Sequence, residues 1–524
     1  MLSSLHPVLR HALFSASLAL APLVPAQAAD CFGVVYEDAN GNARRDAGEA
    51  PVPGVRLSDG ERIAAAGADG RYRLAVGDGR TVFVIKPAGY DAPLRTDGLP
   101  DTWKSPADST SKDGSTCDFP LHRAPARPAD AELDVLVFGD PQLKSGTDAD
   151  YYARDILAPP RAAPGATLAL SLGDLVNDVP ALYPDLKAID RTLGLPWLHA
   201  PGNHDVDPGA NADAGSLDAF HAAFGADTYA WEETRANFVV LDDVVVAPGD
   251  GKAYIGGLRA DQFAFLEGYL AGADRRRLLV VALHVPLFDV GGVETFRHAD
   301  RARLFALLAP FPHVLVLSAH THAQQHAWHG PESGWTGATP LHEYNVGAAC
   351  GAFWSGAKDA AGIPDSTMAD GTPNGYARLR VGADGQAALR WFAARAPEGT
   401  HMRLHAPRVL RRGAWPGQAV TANVWMGAAA TPVAYRIDGG AWLPMKRVLA
   451  PDPDLLAENL RDDAAPALRG YDRAPEATAS THLWRGTLPT DLALGEHAIE
   501  VRATLPDTGD VTALTRYSLV DAAP

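Results

Sequence analysis

The middle third of this chain contains apolar runs too continuous for strands with one wet face. They are Leu133 to Phe138, Leu168 to Leu172, Phe238 to Leu241, Leu278 to Leu283 and Val314 to Leu317. A strand wetted on one side alternates polar with apolar residues, whereas such runs are expected of strands covered on both faces of a sheet. Between them, Phe263, Leu266 and Leu270 recur at helical spacing, as do Leu304, Leu307 and Leu308. Strands alternating with helices predict an α/β core.

The flanks read differently. From Cys31 to about Leu121 short strand patterns (Val34 to Tyr36, Val55 to Leu57, Tyr72 with Leu74, Val82 to Ile85) are separated by Pro and Gly turns, predicting a small β-sandwich. A Pro- and Ala-rich linker follows at Ala124 to Ala129. Past about His401 strand patterns return at Ala419 to Trp425, Val433 to Ile437 and Ala498 to Ala503, predicting a second β-sandwich. At the start, Arg10 precedes an apolar stretch from Ala12 to Val24, and Ala26-Gln27-Ala28 supplies small residues for a cleavage site, so an export signal is expected. The expected division is a signal over 1–29, a β-module over 30–126, a catalytic α/β domain over 127–398 and a C-terminal β-sandwich over 399–524.

Five polar motifs are read as lying immediately after core strands. They are Gly139-Asp140-Pro141-Gln142, Gly173-Asp174-Leu175-Val176-Asn177-Asp178, Gly202-Asn203-His204-Asp205, Leu283-His284-Val285-Pro286 and Ala319-His320-Thr321-His322. In open α/β sheets the carboxyl ends of the strands converge on the ligand crevice, so the motifs are expected to meet in space. Two ions sharing one site need a bridging anionic oxygen, with further oxygen and imidazole ligands divided between them. Each motif alone is weak, since Asp-Pro is usually a turn and a lone His on an apolar strand is usually a hydrogen-bonded core residue. The informative feature is that all five occur in this context.

In order, spacing and strand context these motifs resemble the calcineurin-like metallophosphoesterase superfamily, over roughly Leu133 to Val381. The Asp-Pro-Gln opening, Asn-Val-Gly-Ala-Ala-Cys-Gly from Asn345 and Asp370-Gly371-Thr372-Pro373-Asn374-Gly375-Tyr376 resemble a bacterial branch with an N-terminal β-module and a C-terminal β-domain. The resemblance implies a β-sandwich core flanked by helices. It also implies two divalent or trivalent ions, drawn from manganese, iron or zinc. One ion falls to Asp140, Gln142, Asp174 and His322, and the other to Asp174, Asn203, His284 and His320, with Asp174 as the bridge. His204 would face the substrate and protonate the leaving oxygen while hydroxide held between the ions attacks phosphorus. Gln142 stands where much of the superfamily has His. Asn177 and Asp178 leave open which side chain orients His204.

The implied substrate is a phosphodiester or phosphomonoester. His326, His329, Phe353, Trp354 and Tyr376 lie where they either meet its leaving group or pack the core against the C-terminal domain. Cys350 reads as a small loop residue rather than a nucleophile. A rival reading is a surface-binding protein whose core has lost activity and whose outer β-domains do the binding. A formal charge of −17 argues against generic nucleic-acid binding. No run after the signal is long and apolar enough for a transmembrane anchor, and oligomeric state is not legible. In the first module, Asp38, Asn40, Asn42, Asp46 and Glu49 have the oxygen-ligand spacing of a twelve-residue calcium loop, although Ala43 replaces its glycine. The same residues also build plain hairpin loops. Cys31 and Cys117 bracket that module, and in an oxidising compartment a disulfide between them is expected.

Overall fold

The computed structural model describes residues 29–77, 79–104, 117–162, 165–249, 253–522. The apolar run from Ala12 to Val24 and its cleavage site lie outside them. Two sheets form the centre. In the first, Trp197–Ala200, Leu168–Leu172 and Leu133–Phe138 run parallel, and Gly375–Val381 and Ala387–Ala393 complete it antiparallel. In the second the order is Tyr229–Glu232, Ala236–Val240, Leu278–Ala282, Val314–Ser318, Leu341–Asn345, Gln325–His329, with the middle four strands parallel.

The continuous apolar runs have the expected cause. Every residue of Leu278–Ala282 is buried. Val280 and Ala282 join a cluster shared with Val135, Val137 and Leu170 of the first sheet, while Leu279 and Val281 pack with Phe263, Leu266, Leu304 and Leu308. Those four come from the helices Ala260–Ala271 and His298–Leu308, where helical spacing was read. The fold is therefore α/β, a sandwich of two sheets with helices against its outer face.

Two four-stranded sheets form the N-terminal module, around a small apolar cluster of its own. A disulfide joins Cys31 to Cys117 across 86 residues, and in the chain-entropy account a loop of that size stabilises by roughly 4 kcal/mol. The C-terminal region pairs a four-stranded sheet with a five-stranded one. It also contains a helix, Pro453–Ala464, that strand patterns did not predict. Asp452 caps that helix by accepting from the backbone N–H groups of Asp454 and Leu455, and only Leu455 in it is buried. This region shares its apolar cluster with the catalytic core through Val420, Ala422, Val424 and Trp425, while the first module also reaches core clusters through Phe83, Ile85 and Leu99. Among the described residues no helix is long and apolar enough to cross a membrane.

Candidate metal centre

The parallel strands of both sheets deliver their motifs to one end of the sandwich, and two glycines let the loops touch. A Cβ on Gly202 would lie 2.3 Å from the Asp174 backbone nitrogen. On Gly173, at φ +93°, it would meet the Pro201 carbonyl at 2.7 Å. Only a residue without a side chain permits this approach.

The backbone is strained where the candidate ligands stand. Asp140, Gln142, Asp174, His320 and His322 all have φ between 43° and 71°. Left-handed backbone in non-glycine residues costs about 1–3 kcal/mol apiece and gathers at functional sites.

Asp174, His284 and His320 each bring a ligand atom within 4.8 Å of the others. His284 donates from Nδ1 to the Leu172 carbonyl at 2.9 Å, which leaves Nε2 as the bare nitrogen of the neutral ring. That Nε2 lies 3.1 Å from Asn203 Oδ1, 3.3 Å from Asp174 Oδ1 and 3.2 Å from His320 Nδ1. Lone pairs crowded this way repel unless positive charge sits among them. Burial opposes a charged His284, but Asp174, followed by Asp140 and Asp243, overrides it and raises the pKa to about 10. The field at this point strongly favours a cation. Burial and the charge of His284 push His320 the other way, down to about 3, which suits an imidazole that must ligate unprotonated.

Alongside lie Asp140, Gln142 and His322. Asp140 Oδ1 is buried without a hydrogen-bond partner and faces His322 Nε2 at 3.6 Å. His322 Nδ1 donates to the Gly351 carbonyl at 2.6 Å, so its ring, like that of His284, turns its other nitrogen inward. An orphaned carboxylate oxygen beside a bare imidazole nitrogen fits a second ion. Gln142 is also present, but its amide turns Nε2 to Asp174 Oδ2 at 2.9 Å and Oε1 toward the Cys350 thiol. It offers oxygen to an ion only with the amide reversed. Against its own burial, Asp174 is held well below the usual carboxylate range by His284 and His204.

His204 is not one of the three grouped residues. Its Nδ1 lies 3.0 Å from Asp178 Oδ1, which resolves the choice between Asn177 and Asp178, and its backbone N–H donates to Asp174 at 2.8 Å.

Three supporting residues went unread in the sequence. Asp205 accepts from the backbone N–H groups of Leu175, Val176 and Gly202, clasping two motif loops together; burial and then Asp174 push its carboxyl up to about 7. Asp243 accepts from the backbone N–H groups of His284 and Val285, and burial pushes it up to about 8. A signal for Asp243 existed, because it is an acid just past a buried strand, like the five motifs. Tyr254 places its hydroxyl 3.4 Å from His320 Nε2, and nothing in the sequence marked it.

The five residues left between leaving group and packing now separate. Trp354 is buried, with its indole donating to the Pro141 carbonyl. His329 is buried against Glu343, His326 stacks on Tyr344, and Tyr376 stacks on Phe392. Phe353 alone stays exposed, beside His322. Cys350 is buried, and desolvation raises its thiol well above the ordinary range, which suits no nucleophile.

The loop from Asp38 to Glu49 is organised differently. Asp38 accepts from the backbone N–H groups of Gly41, Asn42 and Ala43. Asp46 accepts from both Asn40 and Asn42 side chains, and Glu49 accepts from Ala39 and Asp46. The five residues predicted for calcium satisfy one another and the local backbone.

Strand-end carboxylates and imidazoles in this fold define a metal-binding α/β sandwich. Three family models match in succession: the N terminal of calcineurin-like phosphoesterase over 38–124, calcineurin-like phosphoesterase over 133–324, and the C terminal of calcineurin-like phosphoesterase over 343–507. The chain belongs to the calcineurin-like phosphoesterases, with both flanking modules. A protein of Psychrobacter arcticus named as a probable cyclic nucleotide phosphodiesterase is 22% identical over 169 residues, covering 31% of this chain and 59% of that protein. A purple acid phosphatase from yellow lupin seeds is a structural relative at 13% identity and a TM-score of 0.38, covering 69% of this chain and 66% of that one. The match thus spans less than two thirds of either relative.

Proposed function

We propose that this protein is an exported hydrolase of phosphoric esters that works with two metal ions. The carrying observation is the crowding of Asp174, Asn203, His284 and His320 acceptors beside the orphaned oxygen of Asp140. One ion would be held by Asp174, Asn203, His284 and His320, the other by Asp140, Gln142, Asp174 and His322. Bound there, such ions lower the pKa of water from 15.7 to about 7 and neutralise charge on phosphoryl oxygens.

The chain's own residues supply the rest. Asp174 shares its carboxylate between the two sets and is kept ionised by the imidazoles around it. Asp243 and Asp205 fix the loops from which His284 and Asn203 project. Asp178 holds His204 Nδ1, so Nε2 is the nitrogen left to give a proton to the departing oxygen. The phosphodiesterase name of the Psychrobacter relative favours a diester as substrate, ahead of a monoester. Export is supported by the apolar N-terminal run and by the Cys31–Cys117 disulfide, which suits an oxidising compartment.

Metal analysis combined with hydrolysis of 4-nitrophenyl phosphate and bis(4-nitrophenyl) phosphate tests this reading. Two metals per chain and turnover abolished by Asp174→Asn are expected. A protein that neither retains metal nor hydrolyses either ester refutes the proposal and favours the lapsed, surface-binding alternative.

A further inference from the structure

Phe353 combines three properties that general packing does not explain together. It is 46% exposed. Exposed apolar side chains are ordinary on a surface, so that alone says little. Its backbone, however, is left-handed at φ 57°, and so is that of Trp354 at φ 56°. A bulky aromatic residue in this region is strained. Burial of the Trp354 indole against Pro141 offsets the strain at that position. No comparable burial offsets it at Phe353. Third, the Phe353 ring stacks on His322, with centroids 4.6 Å apart and planes at 30°.

One short loop therefore does two things. Gly351 accepts from His322 Nδ1 and sets the ring's orientation, and two residues on the loop presents an aromatic side chain against that same ring. His322 lies against one face of the phenyl ring, and the residue keeps 46% of its surface exposed. Phe353 therefore borders the Asp140–His322 side of the candidate metal centre.

We propose that Phe353 is the platform on which the organic part of the substrate stacks, and that it selects esters carrying a flat ring. The inference deepens the hydrolase reading above and rests on it. Stacking of a planar base on an aromatic side chain contributes about 1–3 kcal/mol, so the expected signature is a preference of roughly 5- to 150-fold.

The test compares adenosine 5′-phosphate with ribose 5-phosphate, and the methyl diester of each. Within each pair the phosphorus centre and the leaving oxygen are the same, and only the ring differs. Metal-loaded wild type should favour the ring-bearing ester. Phe353→Leu should reduce that kcat/KM ratio roughly tenfold, mainly through KM, and Phe353→Tyr should restore it. Phe353→Gly should melt no lower than wild type, because it relieves backbone strain at an exposed position.

An unchanged ratio in Phe353→Leu overturns the inference. So does an equal loss on both esters accompanied by loss of metal, which would make Phe353 a cover for His322. Wild type that binds metal yet turns over none of the four esters removes the hydrolase reading itself, and this inference falls with it.

Discussion

The loop from Asp38 to Glu49 and the strand ends from Asp140 to His322 are built from the same kinds of donor side chain, yet they solve opposite problems. In the loop, carboxylates meet N–H groups: Asp38 accepts three from the backbone and Asp46 two from side-chain amides. At the strand ends, acceptors meet acceptors, with His284 Nε2 facing oxygen atoms of Asp174 and Asn203. The loop's spacing matches a cation motif, and its carboxylates accept hydrogen bonds from the loop's own N–H groups. The core's spacing is irregular and spread along the chain, while its polar groups demand positive charge. Satisfaction of hydrogen-bonding capacity, more than linear spacing, separates the two.

Substitution of one acid in each region sharpens this contrast most. Asp174→Asn should reduce kcat by at least roughly 10³-fold and strip metal, as elemental analysis and initial rates will show. His204→Gln should cost about 10²-fold on an alkyl ester, with a much smaller loss on a 4-nitrophenyl ester, whose leaving group needs no proton. An equal loss on both would remove the general-acid role. Chelation should lower the melting temperature of wild type by roughly 5–10 °C in scanning calorimetry and leave Asp174→Asn nearly unmoved. Asp178→Asn should lower kcat about tenfold with metal content retained, since it orients His204 and ligates nothing. At the bottom of the scale, Asp38→Asn should leave turnover within about twofold, in keeping with a site outside the reaction. A calcium-dependent rise in melting temperature that disappears in Asp38→Asn would break the comparison and make the loop a cation site after all.

The strands Leu133–Phe138 and Leu168–Leu172 were legible because burial on both faces leaves a continuous apolar signature. Trp197–Ala200 was not, being four residues long and carrying His199, whose ring is buried against Asp190 and Trp197. The candidate ligands could be named from motif and context, because the chemistry restricts their types. The partners of their supports could not. Asp205 and Asp243 act by accepting backbone N–H groups from distant segments, and which segments come near is decided by sheet packing. Phe353 was visible as one of five aromatic or imidazole residues, but exposure and backbone strain, the properties that single it out, exist only in three dimensions.

The Asp370 carboxylate receives the Gln324 backbone N–H, two residues beyond His322, and its Oδ2 lies 3.0 Å from His482 Nε2 in the C-terminal sandwich, while its carbonyl takes a bond from Asn423. His482 keeps that buried acid below its ordinary range against desolvation. The final domain is thus wired to the loop behind the catalytic histidines. A genetic screen for lost activity should therefore return lesions at His482 or Asn423 that masquerade as active-site alleles, although neither residue is among the candidate ligands.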